Sequence, residues 1–317
     1  MKRCAILLML MLSVLTIRAQ YVPAVKPSQP YETKVHWGNA FRHLDVALSL
    51  GTSGIGFDLG TPLCEWAQLR LGYEFMIPLT KKFSVPVYVG DNNEDFYKMQ
   101  AYMYDLTRYK ITKFVGMEGD LTMNNLKLLV DFFPFANIKK LRVTVGFYYG
   151  SSQIAKIFTD GSAKPALSCI SSFNKLYDTA KEGDKRLEMG LAGLYWGKFD
   201  RDVTNSDGEI IYIKGDSYLM LPDDDNTITV PVKTNAFKPF LGVGYEFGLQ
   251  KKKDDWKLAI DAGAMFWGGT PSMHTSDGVN ITKDLTDIPG KKGDYIKKLK
   301  SLKVYPVIGV RLVRNIF

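Results

Sequence analysis

Few residues in this chain have types and spacing that could do chemistry. There are three histidines, His36, His43 and His274. Histidine titrates near neutrality and is the usual general base. Around His274 stand Ser272, Ser276 and Asp277, so a hydroxyl and a base sit close in sequence, the pairing that acyl transfer needs. The spacing fixes no geometry for that pair, and a polar loop explains it equally. Two acidic groups, Asp200, Asp202, Asn205, Asp207 and Glu209, then Asp223, Asp224, Asp225 and Asn226, carry the oxygen ligands that calcium takes. Neither keeps calcium-loop spacing, and both read as solvated turns. Glycine-rich phosphate loops, zinc spacings and nucleotide fingerprints are absent. The expectation is therefore no enzyme, no cofactor and no metal.

A second set of charges is more orderly. Asp45, Asp58, Arg70, Glu74, Lys127, Asp131, Arg142, Glu246, Lys257, Asp261, Lys303 and Arg311 each fall between apolar neighbours at alternate positions. Period-two alternation marks a strand with two unlike faces. The apolar positions group into eight such strands: Leu44–Leu50, Ile55–Leu59, Ala67–Phe75, Leu126–Phe132, Leu141–Tyr149, Pro239–Phe247, Trp256–Phe266 and Val304–Leu312. None of the apolar positions is charged, whereas the opposite faces hold six acids and six bases. Thr61 and Pro62 are expected to stop the second strand, since proline cannot donate to a ladder.

Alternation of this kind fits a soluble sandwich with its apolar face inward. It fits equally a membrane barrel with that face on lipid and the charges in the lumen. Aromatics such as Tyr73, Phe75, Phe132, Tyr149, Tyr245, Phe247, Trp256 and Phe266 sit at or near stripe ends, where interfacial girdles belong. Short connections near 61–65, 135–140 and 248–255 alternate with long ones near 77–124, 150–236 and 268–302. The expected fold is all-β, an eight-stranded antiparallel up-and-down transmembrane β-barrel with long extracellular loops.

Composition agrees. The 317 residues are 46% apolar and 23% charged, which excludes a mostly disordered chain. No interior run of 18 apolar residues exists, so membrane-spanning helices are excluded while a barrel is not. Met1, Lys2 and Arg3 precede an apolar run from Cys4 to Ile17 and then Arg18 and Ala19, the pattern of a cleaved secretory signal peptide over 1–19. Its loss lowers the net charge from +8 to +5 and gives no reason to expect nucleic acid. Residues 20–41, with Pro23, Pro27 and Pro30, read as a periplasmic leader, and 42–317 as the barrel domain.

Eight strands enclose a lumen that side chains can fill. Balanced charges removed from water must be paired, so the twelve are expected to form a luminal ion-pair network and not a pore. Glycines at 54, 56, 60, 72, 146, 242, 244, 263 and 309 leave room for large neighbours. The 150–236 connection is too long to be structureless. Its segments Met189–Phe199, Glu209–Lys214 and Thr227–Val232 are β-prone and could raise the barrel wall, and Ile170–Lys181 could be a helix. Cys64 and Cys169 fall on opposite sides of the membrane, so no disulfide is expected and Cys169 is expected to label from outside unless its loop covers it.

Several stretches resemble a family of uncharacterised Gram-negative outer-membrane β-barrel proteins. They are Leu44–Leu59 around Gly51, Thr52, Ser53, Gly54, Ile55 and Gly56, then Arg70–Tyr73, Val130–Phe135, Gly146–Tyr149, Lys238–Gly244 and Val304–Val307. The resemblance implies residence in the outer membrane, contact with its lipid, and no established activity. The terminal aromatic Phe317 is the usual signal to the barrel-assembly machinery, although Leu312–Phe317 departs from the family's closing strand. A structural or surface-interaction role, with a ligand or partner met by loops 77–124, 150–236 and 268–302, is the leading expectation. Small-solute transport is the alternative, and a lipid-modifying enzyme at His274 the third.

Overall fold

The computed structural model describes residues 43–77, 80–89, 96–134, 140–205, 207–249 and 256–316. The proposed signal peptide and leader, most of the expected short connections at 135–140 and 248–255, and Phe317 lie outside them. Strands β1 (Asp45–Gly51), β2 (Gly54–Cys64) and β3 (Ala67–Phe75) come first, followed by β4 (Lys81–Val89), helix α1 (Phe96–Thr107), β5 (Phe114–Leu121), β6 (Asn124–Phe132) and β7 (Leu141–Gly150). Next are β8 (Gln153–Thr159), α2 (Lys164–Tyr177), β9 (Ala192–Phe199), β10 (Val203–Thr204), β11 (Ile210–Tyr212), β12 (Ser217–Met220) and β13 (Thr229–Lys233). The chain closes with β14 (Phe237–Gly248), β15 (Trp256–Phe266), β16 (Ser272–Met273), β17 (Leu285–Thr286), α3 (Gly290–Ser301) and β18 (Val304–Asn315).

Eight of these form a closed antiparallel barrel in the order β1-β18-β15-β14-β7-β6-β3-β2, the eight alternating segments expected from the sequence. The barrel is inside out. Leu48, Leu50, Leu241, Val243, Ile308 and Val310 point away from it and are exposed, while Asp58, Arg70, Lys127, Asp131 and Arg142 are buried within. Exposed Tyr73, Phe75, Tyr149, Phe237 and Phe266 ring one end of the outer surface; Trp66, Tyr245 and Phe247 ring the other. These belts mark where an apolar layer would meet water on each side.

One expected boundary is corrected. β2 does not stop at Thr61 and Pro62 but runs to Cys64, with Pro62 opposite Gln68. Its other neighbour, β1, has already ended at the Asp45–Gly60 pair. Past Gly60 the strand has one partner only, so a residue without an N–H is tolerated. At the opposite end Gly54 holds φ +113°, and a Cβ there would collide with the Phe75 carbonyl.

The three long connections fold together into a cap. A second sheet runs β12-β9-β4-β5-β8-β13-β16, with β17 added beside β9. Its strands β4, β5, β8, β13 and β16 stand in the same order as barrel strands β3, β6, β7, β14 and β15, from which each is separated by only a few residues. Five walls of the barrel thus rise into the cap, whereas β1 and β2 turn back at once through Thr52 and Ser53. That turn is pinned to β18 by Thr52 Oγ1 donating to the Pro306 carbonyl and Tyr305 Oη donating to the Thr52 carbonyl.

The segment expected to strand over Thr227–Val232 does raise the wall as β13. Of Met189–Phe199, only Ala192–Phe199 is strand, and as β9 it adds beyond β4 instead. The helix begins at Lys164, earlier than expected, because Pro165 occupies a first-turn position where its missing N–H costs nothing. Val85, Met103, Ile111, Met117, Leu167, Ile170, Phe173, Leu194, Trp196 and Val230 form the cap's core, and it is continuous with Tyr148, Phe240, Met265 and Val307 at the barrel mouth.

Candidate functional site

The lumen gathers ten of the twelve charges singled out from the sequence. Arg142 lies at the centre, its guanidinium 2.5 Å from both Glu246 and Asp261 and 3.7 Å from Asp131. Arg70 contacts Asp131 at 2.9 Å and Asp261 at 3.8 Å. Arg311 bridges Asp261 at 2.7 Å and Asp58 at 3.9 Å. Lys127 joins Asp58 at 2.7 Å and Glu74 at 2.5 Å, and Lys257 reaches Glu246 at 4.0 Å. The connected set holds five acids and five bases, so it carries no formal excess of either sign.

Register explains how such large side chains fit. Gly244 pairs with Arg142 on one side and Asp261 on the other. Gly72 likewise pairs with Asp58 and with Lys127. Each row is an acid, a glycine and a base on three adjacent strands, and the missing side chain lets the outer two meet across the middle. A Cβ on Gly244 would stand 2.6 Å from the Asp261 carboxylate and 2.7 Å from the Arg142 guanidinium. Arg142 is 0% exposed, and a charge so far from water is tolerable only when paired.

The other two charges lie apart from the network. Asp45 is buried but accepts hydrogen bonds from Gln68 and Asn315 and forms no ion pair among the described residues. Lys303 precedes β18 and is exposed to solvent, so its expected luminal place is corrected. The alternation there begins one residue later, at Val304, because the helix α3 occupies the chain up to Ser301.

Neutral partners escaped sequence reasoning. Thr144 donates to Asp131 at 2.5 Å, and Gln68 and Asn315 hold Asp45. Their inward register was the available signal. Lys238 is fully buried at the seam between barrel and cap, where its ammonium donates to Asn125 Oδ1 and to the Ser151 and Ala236 carbonyls. Above the charges Tyr148 packs edge-on against Phe240, and Trp267 stacks on Tyr305.

Two small voids of about 30 and 10 Å³ remain between the charged side chains, room for a water or two. At the end away from the cap, a recess of about 530 Å³ is lined by His43, Asp45, Glu65, Gln68, Glu246 and Lys257.

In the cap, no hydrogen bond joins His274 to Ser272 or Ser276 among the described residues. The His274 backbone bridges to Asn280, and Ser272 Oγ donates to the Lys233 carbonyl. Asp277 instead accepts from the hydroxyls of Tyr212, Tyr218 and Thr275, which clasps β11 and β12 to the segment after β16. Asn205 and Asp225 accept backbone N–H groups two residues on and shape turns, and Asp202 accepts from the Lys214 N–H across the β10–β11 hairpin. Cys64 and Cys169 are both free. Cys169 lies in the cap core beside Thr107 Oγ1, and burial pushes its thiol pKa up. Lys292 on α3 donates to the Tyr195 carbonyl and lies over the Trp196 ring at 5.1 Å, and burial brings its ammonium pKa down to about 7.

No family model and no curated protein matches the chain. Among solved structures it is similar to CarO2 of Acinetobacter baumannii, at 16% identity and TM-score 0.39, over 86% of this chain and 98% of that one. CarO of the same organism gives 14% identity and TM-score 0.38, covering 86% and 97%. A major outer membrane protein of Thermus thermophilus gives 12% and 0.29, covering 86% and 98%. Likeness at this level carries no information about activity.

Proposed function

We propose that this chain is an outer-membrane β-barrel protein of a Gram-negative cell with a structural or surface-interaction role. In this reading the cap is its working surface and the luminal ion pairs close the barrel. A closed barrel leaves no backbone edge in lipid, and the exposed apolar belt between two aromatic rings supplies the outer surface that lipid requires. The signal-peptide pattern at residues 1–19 supports export. The observation that carries the reading is the ion-pair network, whose central arginine has no exposure and whose charges balance. The cap faces outward, since short turns belong on the periplasmic side of such barrels.

Planar-bilayer recording on the full chain tests this. A closed barrel gives no stable, reproducible conductance steps; regular steps would replace the reading with transport of a small solute. The recess of about 530 Å³ is the one observation that favours transport. Catalysis finds no assembled nucleophile and base at His274, and lipid A mass spectra from cells with and without the gene should be identical.

A further inference from the structure

We propose that the last helix of the cap, α3, and the residues joining it to β18 form a docking surface for phosphorylated headgroups of the membrane lipid around the barrel. The inference rests on the outer-membrane reading above and assigns a partner to one face of the cap. Its starting point is Lys303, which leaves the lumen and stands in solvent one residue before the membrane strand begins.

Height is the first consideration. Val304 pairs directly with Phe266, a member of the aromatic ring at the cap end of the barrel. Aromatic rings of this kind lie at headgroup level. Lys303 is therefore level with the polar surface of the leaflet, and α3 runs down to it with only Leu302 and Lys303 between helix and strand.

Charge is the second. Lys297, Lys298 and Lys303 are exposed and Lys300 is half-buried, and no ion pair joins any of them among the described residues. Asp294 is the one acid on the helix. Phosphate esters are the complementary group, and lysine clusters beside a membrane segment bind anionic lipid through charge.

Anchoring is the third. Tyr295 is 54% exposed and Leu302 36% exposed, a ring and an aliphatic side chain of the sort that settle into an interface. The opposite side of α3 is fixed to the cap, since Ile296 is buried and Lys292 is bound to the Tyr195 carbonyl. The helix thus presents its lysines from a rigid support.

The test uses the full chain purified in a nonionic detergent, with bisphosphorylated lipid A as probe and dephosphorylated lipid A as control, and retained lipid counted by native mass spectrometry. The wild-type protein should retain the bisphosphorylated form and release the control. Adding salt should weaken retention. A variant carrying Lys297→Ser, Lys298→Ser, Lys300→Ser and Lys303→Ser should bind on the order of a hundredfold more weakly. Its fold is checked by the gel shift between unheated and boiled samples, and the salt titration of wild-type protein stands if the variant fails that check.

Equal retention of both lipids, or salt-independent retention, would overturn the proposal. So would full displacement by inorganic phosphate at matched concentration, which would identify a site for free anions. Acidic peptide that competes as well as the phosphorylated lipid would overturn it in favour of a protein partner. Fractionation of the chain away from the outer membrane sinks the placement alone. Loss of selective retention in a chain that fractionates correctly sinks this inference alone.

Discussion

The Arg142 guanidinium crosses the backbone of Gly244 to close a 2.5 Å ion pair with Asp261, two strands away. The two residues of this pair are not neighbours in any single ladder, and glycine is the element that lets them meet.

Filling that gap should be costly. Gly244→Ala or Gly72→Ala forces a methyl into the ion pair and should destabilise the barrel by about 1–3 kcal/mol through overpacking. Arg142→Met, which takes the closest base from Glu246 and one of three from Asp261, should cost about 3–5 kcal/mol. Urea unfolding in lipid vesicles measures both, and unchanged midpoints would refute the packed lumen.

The outer face gives the converse. Val130→Arg and Val243→Arg place a charge on the apolar exterior and should each cost about 2–4 kcal/mol near the bilayer midplane. Tolerance at both positions would mean that this surface does not meet lipid.

The cap's stability should depend on pH through Lys292. Its folded pKa is about 7, below the ordinary 10.5, so between those values the unfolded chain binds more protons. Stability therefore rises as pH increases from about 7 towards 10.5, and the penalty for burying the ammonium is complete below that window. Proteolysis of the cap in the detergent-held protein should slow over this range, and Lys292→Met should flatten the dependence.

Thiol labelling reports the covered core. A membrane-impermeant maleimide should leave Cys169 unlabelled on intact cells, because the cap encloses it, and should reach it only after denaturation. Cys64, half-buried at the other end of the barrel, should label in permeabilised cells. Rapid labelling of Cys169 in the native protein would contradict the folded cap.

Asp277→Ala removes the acceptor shared by Tyr212, Tyr218 and Thr275 and should cost the cap about 1–3 kcal/mol. Hydrogen exchange should rise in β12 and in residues 274–280 while the barrel strands stay protected.

The barrel was legible because an apolar outer face and a charged inner face force alternation along most of its eight strands. In β14 the pattern of exposed and buried positions is unbroken from Phe237 to Tyr245. The cap was not legible as a unit. In β9, Ala192, Gly193 and Leu194 are all buried, so period two disappears. Its pairing with β4 joins Leu194 to Val87, a distance along the chain that no local pattern records. Charges were read well in strand interiors and poorly at their ends, where Lys303 meets a helix and Asp45 finds amides instead of a base.

The five strands that rise from barrel to cap also set how the molecule bears load. Anything that grips the cap and pulls along the barrel axis acts lengthwise on β3, β6, β7, β14 and β15, whose ladders run through the wall below. Their hydrogen bonds lie across that direction. A tug is therefore met in shear by many bonds at once, whereas a flexible loop would let the same force peel one hairpin from its neighbour bond by bond. The cap is built as a handle that is one piece with the wall.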